Sequence, residues 1–157
     1  MRHGVLRSAI ITLAVTLVSA APLLAQSKTS LSGALSGREL CEQAVCGSAI
    51  FVAAFGGQID HRPAVGLAIG AIRHTALPTA VHECATIVGG SWSINTLRRN
   101  LSGSIEYGGT VCYIDGIRYL VSLTMNIGED GSDGQAQLTV LLDHEPFPPT
   151  VKGTISQ

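Results

Sequence analysis

Two segments of this chain repeat one order of side chains. QIDHRPAV at residues 58–65 and LLDHEPFPPT at 141–150 each run aliphatic, Asp, His, charged, Pro. Asp beside His is the raw material of acid–base chemistry and of metal binding. Imidazole titrates near neutrality and ligates zinc in its neutral form, and a carboxylate can orient it. Two further histidines, His74 and His82, flank a turn sequence, with Glu83 directly after His82. His61, His144, His74 and His82 are therefore the candidate metal ligands, zinc is the candidate ion, and a metal carrier or metal-dependent enzyme is the function they would serve. HECAT at 82–86 departs from the HExxH zinc-protease pattern, because Thr86 stands where the second His belongs. No GxSxG elbow or CxxC pair occurs, and GEDGSDG at 128–134 lacks the spacing of a calcium loop. No catalytic residue is assigned on this basis, and no cofactor is expected.

What those histidines can do depends on the elements that carry them. From Ser48 onward the hydrophobic period is two, which makes neighbouring side chains point to opposite faces. Along QAQLTVLLDH, Ala136, Leu138, Val140 and Leu142 form a row that continues to His144, while Asp143 falls with Gln137, Thr139 and Leu141. Asp143 and His144 thus cannot form a dyad in a regular strand. In the earlier segment His61 follows Phe51, Phe55 and Ile59, and Asp60 follows Gln58. Each His closes an apolar row before a proline, so the plain expectation is one strand-ending device used twice. The functional alternative puts His61 and His144 on one rim of the fold.

Strand-like runs follow one another at short intervals: 50–60, 65–74, 81–88, 91–98, 102–107, 110–114, 117–127, 135–144 and 150–156. Gly-Gly, Asp-Gly and Pro turns separate them, which is the pattern of an antiparallel sandwich or barrel. Asp115-Gly116 reads as a type I′ turn, pairing Ile114 with Ile117 and Cys112 with Tyr119. Cys112, Ile114, Ile117, Tyr119 and Val121 would then share a face. A turn centred on Pro78 pairs Ile69 with Ile87, Arg73 with Glu83, and His74 with His82. SGRELCEQAVCG, 36–47, is the one helix expected, with Ser36 as cap, Glu39 in the first turn and Gly47 as stop. The fold class is all-β and mainly antiparallel, an up-and-down barrel or β-sandwich of about 8–9 short strands with one short N-terminal helix.

The first 25 residues differ from the rest. Arg2, His3 and Arg7 precede the apolar run AIITLAVTLV, and small residues with Pro22 follow, the layout of a secretory signal peptide. Residues 1–25 are read as signal peptide, 26–36 as a flexible lead-in and 37–157 as a single β-rich domain. The expected location is periplasmic or extracellular, with no stable membrane anchor after cleavage. All four cysteines, Cys41, Cys46, Cys84 and Cys112, lie downstream of that cut, and an even count after export suggests two disulfides. Three pairings are open, of which Cys41–Cys46 with Cys84–Cys112 is preferred.

Cleavage removes Arg2 and Arg7 from the 10 basic residues and none of the 11 acidic ones, leaving a formal charge of −3. The basic residues are scattered apart from Arg98-Arg99, so no concentrated basic surface for nucleic acid is present. The function expected is an exported non-catalytic binding or structural module. Its partner would be a small apolar ligand, held in the interior or mouth if the strands close into a barrel, or another protein added at an edge strand.

Overall fold

The computed structural model describes residues 28–40, 48–145 and 148–157. Nine strands run in chain order: β1 (Leu31–Glu39), β2 (Ser48–Ile59), β3 (Arg62–His74), β4 (Cys84–Thr96), β5 (Asn100–Ile105), β6 (Thr110–Asp115), β7 (Arg118–Ile127), β8 (Gly134–Asp143) and β9 (Thr150–Ser156). Every strand-to-strand ladder among them is antiparallel. The order β3-β2-β1-β9-β8-β7-β5-β4 closes on itself through a β3–β4 ladder, so eight strands form a barrel. Of the sandwich and barrel alternatives, the barrel is the one adopted.

The ninth strand, β6, lies in line with β5. β5 pairs with Gly90–Asn95 of β4, whereas β6 pairs with Cys84–Thr86 of the same strand. On the other side β5 meets β7 at Met125, and β6 meets it from Arg118 to Ser122. The two pieces together fill the gap between β4 and β7. Their junction is tied down by backbone bonds from Gly108 to Ile87, from Ile87 to Gly109 and from Glu106 to Thr124.

Alternation decides which side chains fill the barrel. Phe55 and Ile59 of β2, Ala68 and Ile72 of β3, Val121, Leu123, Met125 and Ile127 of β7, and Ala136, Leu138, Val140 and Leu142 of β8 are all buried. Burying each such aliphatic side chain is worth about 1.5–3 kcal/mol before entropy is charged against it. β4 keeps its row inward only by breaking step. Ala85 and Ile87 point in from odd positions, and Trp92 and Ile94 from even ones. A bulge opposite Arg73 and His74, where Gly89 takes φ +137°, absorbs the extra residue.

The β5–β7 seam is the tightest place in the wall. A Cβ on Gly103 would collide with the Asn126 carbonyl, so the backbones approach as only glycine permits. That same carbonyl accepts a 2.9 Å hydrogen bond from the Trp92 indole. Replacing Trp92 by Phe should leave the carbonyl without its donor and lower stability by about 1–2 kcal/mol. A shift of the urea midpoint at unchanged slope would show it.

Several expectations require correction. No α-helix occurs among the described residues; the one helical turn is the 3₁₀ segment Glu129–Gly131. The proposed helix over 36–47 instead begins as the end of β1, and its remainder from Cys41 to Gly47 lies outside the described residues. Residues 31–36, assigned to a flexible lead-in, are strand. Leu31, Leu35 and Glu39 point inward with Gly33 and Gly37 between them, and those glycines disguise the alternation.

Both expected hairpin registers also shift. Asp115 pairs with Arg118, Tyr113 with Tyr119 and Cys112 with Leu120, so Cys112 leaves the face of Tyr119 and Val121. Only Gly116 has positive φ there, which rules out the type I′ turn. Around Pro78, Ile69 faces Ser93 and His74 faces Ile87, not Ile87 and His82. Residues 75–83 form a longer connection with irregular backbone, and His82 sits in it at φ +71°.

Candidate functional site

The two Asp-His segments lie at opposite ends of the barrel and have unlike conformations. Asp60 and His61 are the two residues of the β2–β3 hairpin, at φ +51° and +61° between the paired Ile59 and Arg62. Left-handed backbone at both positions is the type I′ geometry, and Asp and His are among the residues that tolerate it. Asp60 accepts a bond from the Ser30 amide and forms an ion pair with Arg99. His61 is exposed. Because β8 runs antiparallel to β9, β9 to β1 and β1 to β2, the end of β8 carries His144 to the far rim. The alternative of a shared His61–His144 rim is thereby corrected.

At that far rim His144 has a different partner. Its Nε2 lies 3.2 Å from Oε2 of Glu39, the inward residue that ends β1. The Glu39 side chain is 5% exposed and that of His144 is 27% exposed. Nδ1 of His144 lies 3.0 Å from the Ile117 carbonyl, which can only accept, so Nδ1 carries a proton. The edge of Tyr119 meets the imidazole in a T-shaped contact at 5.3 Å. Glu39 Oε2 sits close enough to His144 for an ion pair but outside hydrogen-bond geometry, and is otherwise unpartnered. Burial pushes the Glu39 carboxyl above its ordinary value, and the charges of His144 and His74 pull it partly back. Tyr119 is also raised, first by burial and then by Tyr113 and Glu39.

The chemistry of this pair follows from the tautomer. With Nδ1–H committed to Ile117, Nε2 is the imidazole nitrogen that faces Glu39. His74 lines the same space and donates Nδ1–H to the Thr75 carbonyl at 2.6 Å. The space they share with Phe51, Ile72 and Leu142 is about 20 Å³, room for about one water. Among the described residues, these polar side chains form a plug at the mouth of an apolar barrel.

Among the described residues, no three His, Cys, Asp or Glu side chains gather closely enough to hold a metal ion. His74 and His144 approach the same rim cavity, while His61 and His82 stand apart from it. Sequence reasoning missed Glu39, whose only signal was the i, i+2 row Leu31, Leu35, Glu39 through two glycines. Cys84 and Cys112 form a disulfide across the β4–β6 ladder, as preferred from the sequence. Cys41 and Cys46 lie outside the described residues.

The remaining spaces differ sharply in size. Inside the wall, a gap lined by Leu35, Phe51, Trp92 and Met125 among others is about 40 Å³. Outside, between the β2–β3 and β4–β5 turns, lies an open groove of about 770 Å³ lined by Arg62, Val65, Leu97, Arg98 and Arg99 among others. The outer face beside it is apolar. Ile50 of β2 and Val65, Leu67 and Ile69 of β3 are exposed, with Val52 facing Ile69 and Ala54 facing Leu67 across the ladder. Comparison with protein-family models, curated proteins and solved structures finds no match to this chain.

Proposed function

We propose that the protein is an exported, non-catalytic binding module that works through the outside of its barrel. The observation that carries this reading is the contiguous apolar stretch on the outer face of β2 and β3, next to a groove large enough for a ligand. Ligand sites usually enclose ~300–1,000 Å³, far above the 40 Å³ left inside this wall. In place of the interior or mouth site expected from the sequence, the apolar ligand is assigned to the outside, against Val65, Leu67 and Ile69. A closed ring also offers little free strand edge, which speaks against partner addition by strand pairing. The Cys84–Cys112 disulfide is compatible with an oxidising compartment, in keeping with the signal-like segment at 1–25, which lies outside the described residues.

Titration with the uncharged apolar dye Nile red tests the reading. Saturable fluorescence is expected from the folded protein, and its loss in Leu67→Gln/Ile69→Gln. Both side chains are exposed, so the fold should survive their replacement, and an unchanged circular dichroism melt would confirm that it has. No saturation in the parent protein, or undiminished saturation in the double variant, would rule out this face as the binding surface.

A further inference from the structure

The same face has a charge pattern that narrows its partner, and we propose that it docks on a bilayer surface bearing anionic headgroups. This inference rests on the outer-face reading above. Within β1 to β4, the outward positions carry no carboxylate. They hold Ser32, Ala34, Ser36 and Arg38 on β1, Ile50, Val52, Ala54 and Gln58 on β2, and Val65, Leu67, Ile69 and Arg73 on β3, with Ser91, Ser93 and Asn95 on β4. The acids sit elsewhere: Glu83 in the β3–β4 connection, at the rim opposite Arg62 and Arg98, Glu106 after β5, Asp115 at the end of β6, Asp143 and Glu145 at the end of β8, and Glu129, Asp130 and Asp133 in the β7–β8 turn. A chain of net negative charge has thus sorted its carboxylates away from its apolar face. Asp60 borders that face, but Arg99 already neutralises it.

Cations border the apolar stretch. Arg62 starts β3 and Arg98 occupies the β4–β5 turn, both exposed and neither in an ion pair among the described residues. Between them Leu97 is fully exposed at the tip of the turn, and Val65 is 70% exposed across the groove. An apolar tip flanked by arginines suits the boundary between headgroups and acyl chains, where Leu enters the apolar layer and guanidinium meets phosphate. The row Val65, Leu67, Ile69 extends that contact along the strand at ~7 Å per outward residue.

A second copy of the chain is the less complementary occupant. It would bring the same face, and with it arginines but no acid to meet them. A small inorganic anion would use the arginines and leave the apolar row wet. Docking would be reversible, since a surface contact of this kind spans nothing, and the described residues include no helix long and apolar enough to cross a bilayer.

Cosedimentation with vesicles decides the matter, using the chain without residues 1–25. Binding is expected to vesicles of equal parts phosphatidylglycerol and phosphatidylcholine, to weaken with added salt, and to be absent with phosphatidylcholine alone. Arg62→Gln/Arg98→Gln should weaken it roughly 25-fold, taking about fivefold per arginine near an anionic surface. Leu97→Asp should abolish it. Equal binding to both vesicle types, no binding to either, or indifference to both sets of substitutions would overturn the proposal. A dimer on sizing that Leu67→Asp converts to monomer would overturn it in favour of a second copy. Nile red binding that still depends on Leu67 and Ile69, with no vesicle binding, would sink the bilayer inference alone and leave the outer-face reading standing.

Discussion

Converting Cys84 and Cys112 together to alanine is expected to lower stability by about 3–4 kcal/mol, the loop-closure value for a separation of 28 residues. The cost is large because of where the bond lies. β6 holds β4 through only three paired positions, Cys84 with Cys112, Ala85 with Val111 and Thr86 with Thr110. Without the covalent link, the β4–β6 half of that seam depends on a short ladder and on the burial of Val111 and Ala85. Urea denaturation of the double variant gives the number. Amide exchange should show the loss concentrated at Thr110–Asp115 and at the start of β4, with β1, β2 and β9 less affected. Uniform loss across the barrel would mean that the bond acts only on the unfolded chain.

The second large effect concerns the plug. His144→Ala should cost about 2 kcal/mol near neutral pH, because it removes the ring that faces the buried Glu39 carboxyl and pulls it down. A fully buried pair would lose ~3–5 kcal/mol; the ring of His144 keeps some contact with water, which reduces the figure. The pH dependence has a definite sign. Burial raises Glu39 in the folded state above its ordinary 4.5. Its contribution is therefore fully present below that ordinary value and is lost as pH rises through the raised one. Removing His144 takes away a charge that pulls Glu39 down, so the decline with pH should steepen. Parent and variant should differ little at about pH 4, where the carboxyl is neutral in both, and the difference should open as pH rises through the raised Glu39 value. Glu39→Gln added to His144→Ala should recover most of the loss. A difference independent of pH, or no recovery by Gln, would show that His144 acts only through packing against Tyr119.

The period-two rows from Ser48 onward and the Gly-rich turns made an all-β barrel or sandwich legible; β2 to β9 lie near expected runs, with 81–88 and 91–98 fused into β4, while β1 stands where a lead-in and a helix were expected. The face assignment of His144, inward at the end of the Ala136–Leu142 row, also holds. Register was less legible for a physical reason. Gly89 and the irregularity between Tyr113 and Asp115 each break the ladder count, and a single skipped residue displaces every pair beyond it. Over 36–39 the expected helix is strand, because local helix formers such as Glu39 lose to the ladders that β1 makes with β2 and β9. The Leu31–Glu39 row shows itself only once Gly33 and Gly37 are recognised as places where β2 presses close. Glu39 was invisible as a partner of His144 because 104 intervening positions separate them, on strands linked through β9.

Placing β9 between β1 and β8 also constrains the order of events during folding. The ladders from β1 to β8 are joined by connections between chain neighbours or near neighbours, and can zip up as the chain lengthens. The ring itself stays open until Thr150–Ser156 arrives, because only that segment spans from β8 back to β1. A chain that emerges from a ribosome or threads a narrow channel is thus held as an unclosed sheet, with Leu31, Leu138 and Val140 wetted, until its ninth strand is through. Closure is thus a long-range step that the chain must take late.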